Sequence, residues 1–375
     1  MLLGPRQTGK TTTITRLDAA LYLSLVRPDI RLEYERNPSL LARQLEALPL
    51  GGSKEAVPPL VVIDEVQKVP SLLDVVQDAI DRRLARFVLS GSSARRLRHG
   101  ANVNLLPGRV VALRLDPLAL SEHSTRSLEQ HLFFGDLPGV ATTEDHSDCN
   151  EDLRSYVVSY LDAEVRAEAM VRNLGAFARF LELAASESGH VVNLRRLSRQ
   201  LGIAHTTVAA HYQILEDCLI GERIGPLLGG PRKKLVKSHK WLLFDMGVRR
   251  VAAGEGVRPT RERLGELFEQ YVGLELLRCL RVSGTDSRLH FWRDADGPEI
   301  DWVIKREDGE LVPIEVKWTS SPIGRDIRHL LAFQRDYPRA RQGYLVCRIS
   351  RPALLAPGIK AWPWQRIDEI VFEPE

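Results

Sequence analysis

Cysteine is scarce in this chain, with four in 375 residues. Cys149, Cys218, Cys279 and Cys347 lie far apart and form no C-x-x-C pair, which argues against a zinc site or a disulfide framework and fits a reducing cytoplasm. Long apolar runs are missing as well. No stretch of 18 apolar residues occurs, so no membrane span is expected. The N-terminus runs directly into a glycine-containing motif, so no signal peptide is expected. There is no internal repeat, and Gly51-Gly52-Ser53 and Leu228-Gly229-Gly230-Pro231 read as local loops rather than low-complexity linkers. Strong net charge is absent too, at +3 overall. What remains is an ordinary globular composition, 44% apolar and 27% charged, in a chain long enough for two to four domains.

The motif near the start is Gly4-Pro5-Arg6-Gln7-Thr8-Gly9-Lys10-Thr11, followed by Thr12. It fits the P-loop pattern G-x-x-x-x-G-K-[ST] in full. Two glycines let the backbone wrap closely enough for its N–H groups to face phosphates. Lys10 reaches the β/γ-phosphates and the Thr11 hydroxyl ligates Mg²⁺. A helix starting near Lys10 adds its positive dipole end.

A second motif closes the apolar run Leu60-Val61-Val62-Ile63 on Asp64 and Glu65. Such a run suits a buried parallel strand, and ligands of parallel sheets sit at strand carboxyl ends. Asp64 is then expected beside the P-loop, holding the Mg²⁺ water shell, with Glu65 polarising the attacking water. The competing reading is a core strand ending in a solvated acidic turn. Arg86-Phe87-Val88-Leu89 reads as the next strand and leads into Ser90-Gly91-Ser92-Ser93. Ser90 and Ser92 are candidates to contact the γ-phosphate or lytic water, or alternatively cap a helix. Arg109, after Leu106-Pro107-Gly108, is a candidate arginine finger supplied by a neighbouring copy.

These segments resemble the bacterial and archaeal AAA-type ATPases that carry a C-terminal domain of unknown function. Besides the P-loop, the resemblance rests on Ile63-Asp64-Glu65-Val66-Gln67, Ser90-Gly91-Ser92-Ser93, Gly108-Arg109, Pro117-Leu118 with Glu122, and Phe134-Gly135-Asp136-Leu137-Pro138, where Gly-Phe-Pro is commoner. It runs through nearly the whole chain. The start departs from the family. Only Met1-Leu2-Leu3 precede Gly4, where members carry some tens of residues that form the first strand and help enclose the base. The departure bears on the adenine contacts and on hydrolysis.

Charge is unevenly spread. Residues 190–250 hold 11 Lys/Arg against 4 Asp/Glu, whereas residues 251–375 hold 19 against 20. Leu194, Leu197 and Leu201 recur at helical spacing, Gly202 permits a sharp turn, and Ala204-His205-Thr206-Thr207-Val208 opens a second helix with Val208, Tyr212 and Leu215 inward. Leu219–Ile224 and Trp241–Phe244 read as two wing strands. This is helix–turn–helix organisation, which places His205, Thr206 and Thr207 where base or phosphate contacts arise. It serves equally as an architectural winged helix, and the basic stretch as a solvated face. Residues 126–189 read as helices, Leu153–Leu161 and Phe177–Ala184 among them, that form a lid over the nucleotide.

In the C-terminal third, Glu299–Ile304 and Leu311–Trp318 read as strands joined at Asp308-Gly309. Glu315 and Lys317 are two apart and share a face, with Asp301 on the neighbouring strand. Glu269 lies on an amphipathic helix opened by Gly265 and Glu266. Two carboxylates and a lysine on one sheet face can bind Mg²⁺ and activate water for phosphodiester attack. A cross-strand charge pair on a solvated face is the plainer alternative. The arrangement resembles the PD-(D/E)XK nuclease-like fold over about residues 262–350, with Glu269, Asp301, Glu315 and Lys317 as its acids and lysine and Asp301 and Glu315 as its metal ligands. His329 and Gln334 read as surface or packing residues.

The expected fold is therefore α/β: a P-loop NTPase parallel sheet (1–125), a helical lid (126–189), a winged helix (190–254) and an α/β PD-(D/E)XK nuclease-like domain (255–375). The resemblance implies an ATP-binding protein, with ATP and Mg²⁺ as cofactors, that hydrolyses ATP in connection with binding or cutting nucleic acid. The alternative is a nucleotide-dependent switch, or a DNA- or protein-binding regulator whose nuclease-like domain is an inactive scaffold. DNA and further copies of the chain are the expected partners, a membrane is not, and a cytoplasmic location is expected.

Overall fold

The computed structural model describes residues 1–49, 57–92, 108–123, 125–161, 174–229, 235–294 and 297–372. The glycine loops at 51–53 and 230–231, Ser93 and Leu106-Pro107 lie outside the described residues. The chain divides into two compact units, Met1–Asp116 with Asp217–Ile220, and Pro117–Glu216 with Gly221–Glu375.

In the first unit the apolar runs become the strands β1 (Leu2–Leu3), β2 (Leu21–Ser24), β3 (Leu60–Asp64), β4 (Arg86–Gly91) and β5 (Leu113–Arg114). They pair in parallel in the order β2-β3-β4-β1-β5. Parallel strands need crossovers, and helices Pro28–Arg36, Ser39–Glu46 and Leu72–Asp81 supply them. The apolar residues of those helices join Val61, Ile63 and Leu89 in one buried cluster. Strand order decides where the chemistry falls. β4 lies between β3, which ends in Asp64, and β1, which feeds the P-loop, so Ser90 at the end of β4 stands between the two motifs.

The second unit is built on a mixed sheet, β12-β13-β11-β10-β9-β8. Its strands are β8 (Arg288–Arg293), β9 (Glu299–Lys305), β10 (Leu311–Val316), β11 (Gly343–Cys347), β12 (Ala353–Ala356) and β13 (Ile359–Pro363). β8, β9 and β10 are antiparallel neighbours, and Gly309 turns the β9–β10 hairpin at φ 83°. β10 and β11 are parallel, and helix Arg328–Asp336 makes the crossover. One sheet face packs on helix Arg261–Val282, the other on helix Arg328–Asp336, so β10 is buried along its whole length. Gly273 of the long helix lies against Trp302, whose ring a Cβ there would meet at 2.4 Å.

Before this sheet, helix Leu194–Leu201 ends at Gly202 (φ 66°) and helix His205–Asp217 follows. β6 (Gly221–Ile224) and β7 (Lys240–Leu243) then pair antiparallel. Val208, Tyr212 and Leu215 are buried, while His205, Thr206 and Thr207 are exposed. The described helices of residues 126–189 lie within this second unit. There helix Leu128–Phe134 shares a buried cluster with helix Arg261–Val282.

A buried ionic network ties these helices together. Arg278 donates to Asp136 (3.0 Å), to the carbonyl of Leu118 (3.0 Å) and to Glu275. His131 Nδ1 lies 2.6 Å from Asp136. The Asp136 amide donates to Asp245 (2.7 Å), which also caps helix Met246–Ala252 through the Val248 amide (2.9 Å). Gly135 (φ 68°) sits so close that any side chain would strike the Asp245 carboxylate. The Gly135-Asp136 segment of the sequence is thus a packing device, with its charges partnered as buried charges must be.

Candidate functional site

The P-loop leaves β1 at Gly4. A Cβ on Gly4 would lie 2.3 Å from the carbonyl oxygen of Leu115, just past β5, so only glycine fits. Gln7 (φ 59°) and Gly9 (φ 92°) both take left-handed backbone, the alternation that turns successive N–H groups to one side. A left-handed Gln is strained, and such strain collects at ligand sites. Thr8 Oγ1 pins the loop by donating to Pro5 O (2.9 Å). Lys10 Nζ donates to the carbonyls of Gly4 (2.8 Å) and Pro5 (2.6 Å), spanning the loop it serves. The helix that begins at Lys10 has five residues, so the dipole contribution expected of it is small. Arg6, Gln7, Gly9, Lys10, Thr11 and Thr12 line a cavity of about 370 Å³ together with Val26, Glu65 and Lys68.

The acidic half meets this loop. Asp64 is fully buried. Its Oδ2 accepts from Thr11 Oγ1 at 3.1 Å and lies 3.5 Å from the Tyr22 hydroxyl, while Ser90 Oγ donates a short hydrogen bond to Oδ1. Burial, and then the charge of Asp64, raise the Tyr22 pKa. Among the described residues the Asp64 carboxylate therefore meets hydroxyl groups only. Thr11 and Asp64 fit a Mg²⁺ ion, since hydroxyl and carboxylate oxygens are the hard donors it takes and the two already adjoin. Glu65 has φ 60°, and its amide donates to Ser90 Oγ (3.0 Å). Its carboxylate accepts from Gln67 Nε2 (2.6 Å), which also donates to Ser92 Oγ (3.1 Å). Ser90 therefore bonds the Asp64 carboxylate and the Glu65 amide, and Ser92 accepts from Gln67. Gln67 is the residue that sequence reasoning missed, although it stands within the Ile63-Asp64-Glu65-Val66-Gln67 run. Arg109 is not among the cavity residues. Its guanidinium pairs twice with Asp81, at 2.6 and 3.2 Å.

The second acidic cluster lies in the other unit. Asp301 and Glu315 come together across the β9–β10 pair, where Trp302 opposes Ile314. Asp301 Oδ2 accepts from the Val316 amide (2.8 Å). Lys317 Nζ donates to Glu315 Oε2 (3.0 Å), and His329 Nδ1 lies 3.6 Å from Glu315 Oε1. Glu269, on the long helix, pairs with Lys240 at 2.6 Å. Burial pushes Glu315 up to about 7, with the Asp301 charge adding to it and His329 and Lys317 opposing. Burial likewise pushes Glu269 up to about 7, with Asp301 adding and Lys240 opposing. Burial by itself would lower Lys317, but Asp301 and Glu315 outweigh it and raise that ammonium. The hydrogen bond to Glu315 raises His329.

Among the described residues, no group of three or more His, Cys, Asp or Glu side chains is placed to hold a metal ion. Asp301 and Glu315 are engaged by an amide, a lysine and a histidine instead. Lys240 had no mark in the sequence beyond its place beside a wing strand, and the partly exposed His329 lies beside Glu315.

Comparison with known proteins divides the chain in three. Residues 1–124 match a family described as AAA domain. Residues 125–258 and 264–367 match two families, each described as a domain of unknown function (DUF8612 and DUF4143). Two relatives span the whole chain: uncharacterized proteins Rv2008c of Mycobacterium tuberculosis and Mb2031c of Mycobacterium bovis. Each is 28% identical over 381 residues, covering 100% of this chain and 79% of its own length. Among solved structures, a Thermococcus gammatolerans assembly of McrB AAA+ hexamers with bound McrC aligns at 11% identity and TM-score 0.24, over 53% of this chain and 52% of that one. The Vibrio cholerae protein VC1899 aligns at 12% identity and TM-score 0.23, over 99% and 96%. Scores so low carry no argument about fold or assembly. Residues 1–124 are thus similar to an AAA domain, and the region after them is similar to two families with no assigned function. No helix among the described residues is long and apolar enough to cross a membrane.

Proposed function

We propose that this protein binds ATP with Mg²⁺ at the P-loop and hydrolyses it. The reading is carried by the hydrogen bond between Thr11 and Asp64. It joins the last residue of the P-loop motif to the acid that ends β3, across the strand that bears Ser90. Lys10 and the left-handed loop receive the phosphates. Thr11 and Asp64 would hold the metal, which would neutralise charge building on the β- and γ-phosphates. Glu65, oriented by Gln67 and by its amide bond to Ser90, polarises the attacking water. Steady-state ATP turnover tests this. Glu65→Gln should bind nucleotide with turnover down roughly 10²-fold or more, and wild-type turnover in that variant removes Glu65 from the role. Arg109 acts as a finger for a second copy only once its pair with Asp81 opens. Light scattering with and without ATP should show larger assemblies in ATP.

The second unit is the effector of this cycle, and nucleic acid is its proposed partner. The basic residues of 190–250 and the exposed His205, Thr206 and Thr207 at the start of a helix after a glycine turn support that reading. Two versions differ in whether the strand is cut. The engagement of Asp301 by an amide and of Glu315 by Lys317 favours holding over cutting. Plasmid incubated with protein and Mg²⁺ or Mn²⁺ should stay intact while its mobility shifts. Nicking that Asp301→Ala abolishes would restore the cutting version.

A further inference from the structure

Lys240 opens β7, some sixty residues before Asp301, yet its ammonium lies among the nuclease-like acids. Nζ donates to Glu269 Oε1 (2.6 Å) and to the main-chain carbonyl of Asp301 (3.3 Å). The rings of Trp302 and Phe291 stand 4.6 and 5.4 Å from it, an arrangement that favours a cation. The lysine is 9% exposed. Its backbone is held from both sides, paired with Ile224 in β6 and bridged to Val191. Burial alone would drive the proton off this amine, but Glu269 and Asp301 outweigh burial and raise its pKa.

We propose that Lys240 is the resident cation of the Glu269–Asp301–Glu315 cluster and, with Lys317 on Glu315, closes the site to a divalent metal. Three carboxylates face the ammonium groups of Lys240 and Lys317 and the imidazole of His329, so the charge that would draw a dication is already compensated. Space is not what excludes it. A cavity of about 210 Å³ borders Lys240, Glu269 and Asp301, ample for an ion and several waters. An acid pair left buried without Lys240 would have to take up protons or another cation. The lysine also ties helix Arg261–Val282 to β9 and to the β6–β7 pair, which a loosely bound ion would not do permanently.

The inference rests on the reading of the second unit as a device that holds rather than cuts. Iron-localised cleavage of the full-length chain tests it. Fe²⁺ with ascorbate and peroxide cuts the backbone wherever the ion sits, and fragment masses locate the cuts. Wild type should show none near Glu269, Asp301 and Glu315. Lys240→Met should gain cuts at all three segments and lose them again in Lys240→Met with Glu269→Gln. Lys240→Gln, polar and of similar reach, serves if the methionine variant does not fold. Cuts at the cluster in wild type overturn the proposal without any variant. So does a folded Lys240 variant that gains none. Wild-type protein that nicks plasmid yet shows no iron cuts there would refute the holding reading on which the inference rests, whereas iron cuts without nicking would refute the inference alone.

Discussion

Two buried carboxylates, Asp64 and Asp301, sit on strands of two sheets, and they differ in the company they keep. Asp64 is met by the hydroxyls of Thr11, Ser90 and Tyr22. Hydroxyls stabilise a carboxylate without cancelling its charge, so a cation is still in demand beside it. Asp301 accepts from the Val316 amide, and its neighbours Glu269 and Glu315 are met by Lys240, Lys317 and His329. Their charge is spent on internal partners. The lesson is that an acid on a sheet becomes a metal site or an ion pair according to whether the neighbouring element offers oxygen or ammonium.

The sharpest way to break this contrast is to neutralise one acid at a time. Asp64→Asn should lower Mg²⁺-dependent ATP turnover roughly 10²-fold or more, and Lys10→Ala should abolish nucleotide binding by calorimetry. Asp301→Asn should leave turnover within about twofold, below the tenfold that 1.4 kcal/mol would bring. An equal loss in both asparagine variants would end the distinction. A smaller effect separates the units by their stability. Gly4→Ala drives a methyl into the Leu115 carbonyl and Gly273→Ala into the Trp302 ring, each costing about 1–3 kcal/mol. Each should lower the melting of its own unit in a thermal scan, and nucleotide binding should fail only with Gly4→Ala.

The smallest effect is on pH. Glu269 and Glu315 are raised from 4.5 to about 7, and Asp245 from 3.8 to about 6, each chiefly by burial. A raised carboxylate keeps its proton in the folded state after the unfolded chain has lost it. Its stabilisation is complete below the ordinary value and is lost as pH rises through the folded one. The second unit should therefore melt a few degrees lower at pH 7.5 than at pH 5. A transition that climbs across this range would show that the lysines, and not burial, dominate the cluster.

Much of the first site was legible because its residues are close in sequence and its strands carry unbroken apolar runs. Gly4 to Thr11 and Leu60 to Glu65 each place chemistry at a strand end, and one parallel sheet brings the two ends together. The Asp308-Gly309 turn and the pairing of Asp301 with Glu315 followed from period-two alternation in the same way. Lys240 could not be found by such means. It reaches Glu269 across 29 positions and Asp301 across 61, and a lone lysine beginning a wing strand looks like a solvated charge. Gln67 was visible as part of a motif but not as a tether, because its role depends on the left-handed turn at Glu65. The expected lid suffers from the same blindness. Helical periodicity tells that Phe180 and Ala184 are buried, not against which body.

The Asp136–Arg278 pair reaches across residues 259–263, the gap between the two C-terminal families. A truncation there would part Asp136 from Arg278, leaving the arginine with Glu275 alone and the aspartate with Arg126 and His131, at a cost of up to about 3–5 kcal/mol. The two stretches that comparison separates are thus indivisible as folding material, and a fragment ending at the seam should be recovered as aggregate.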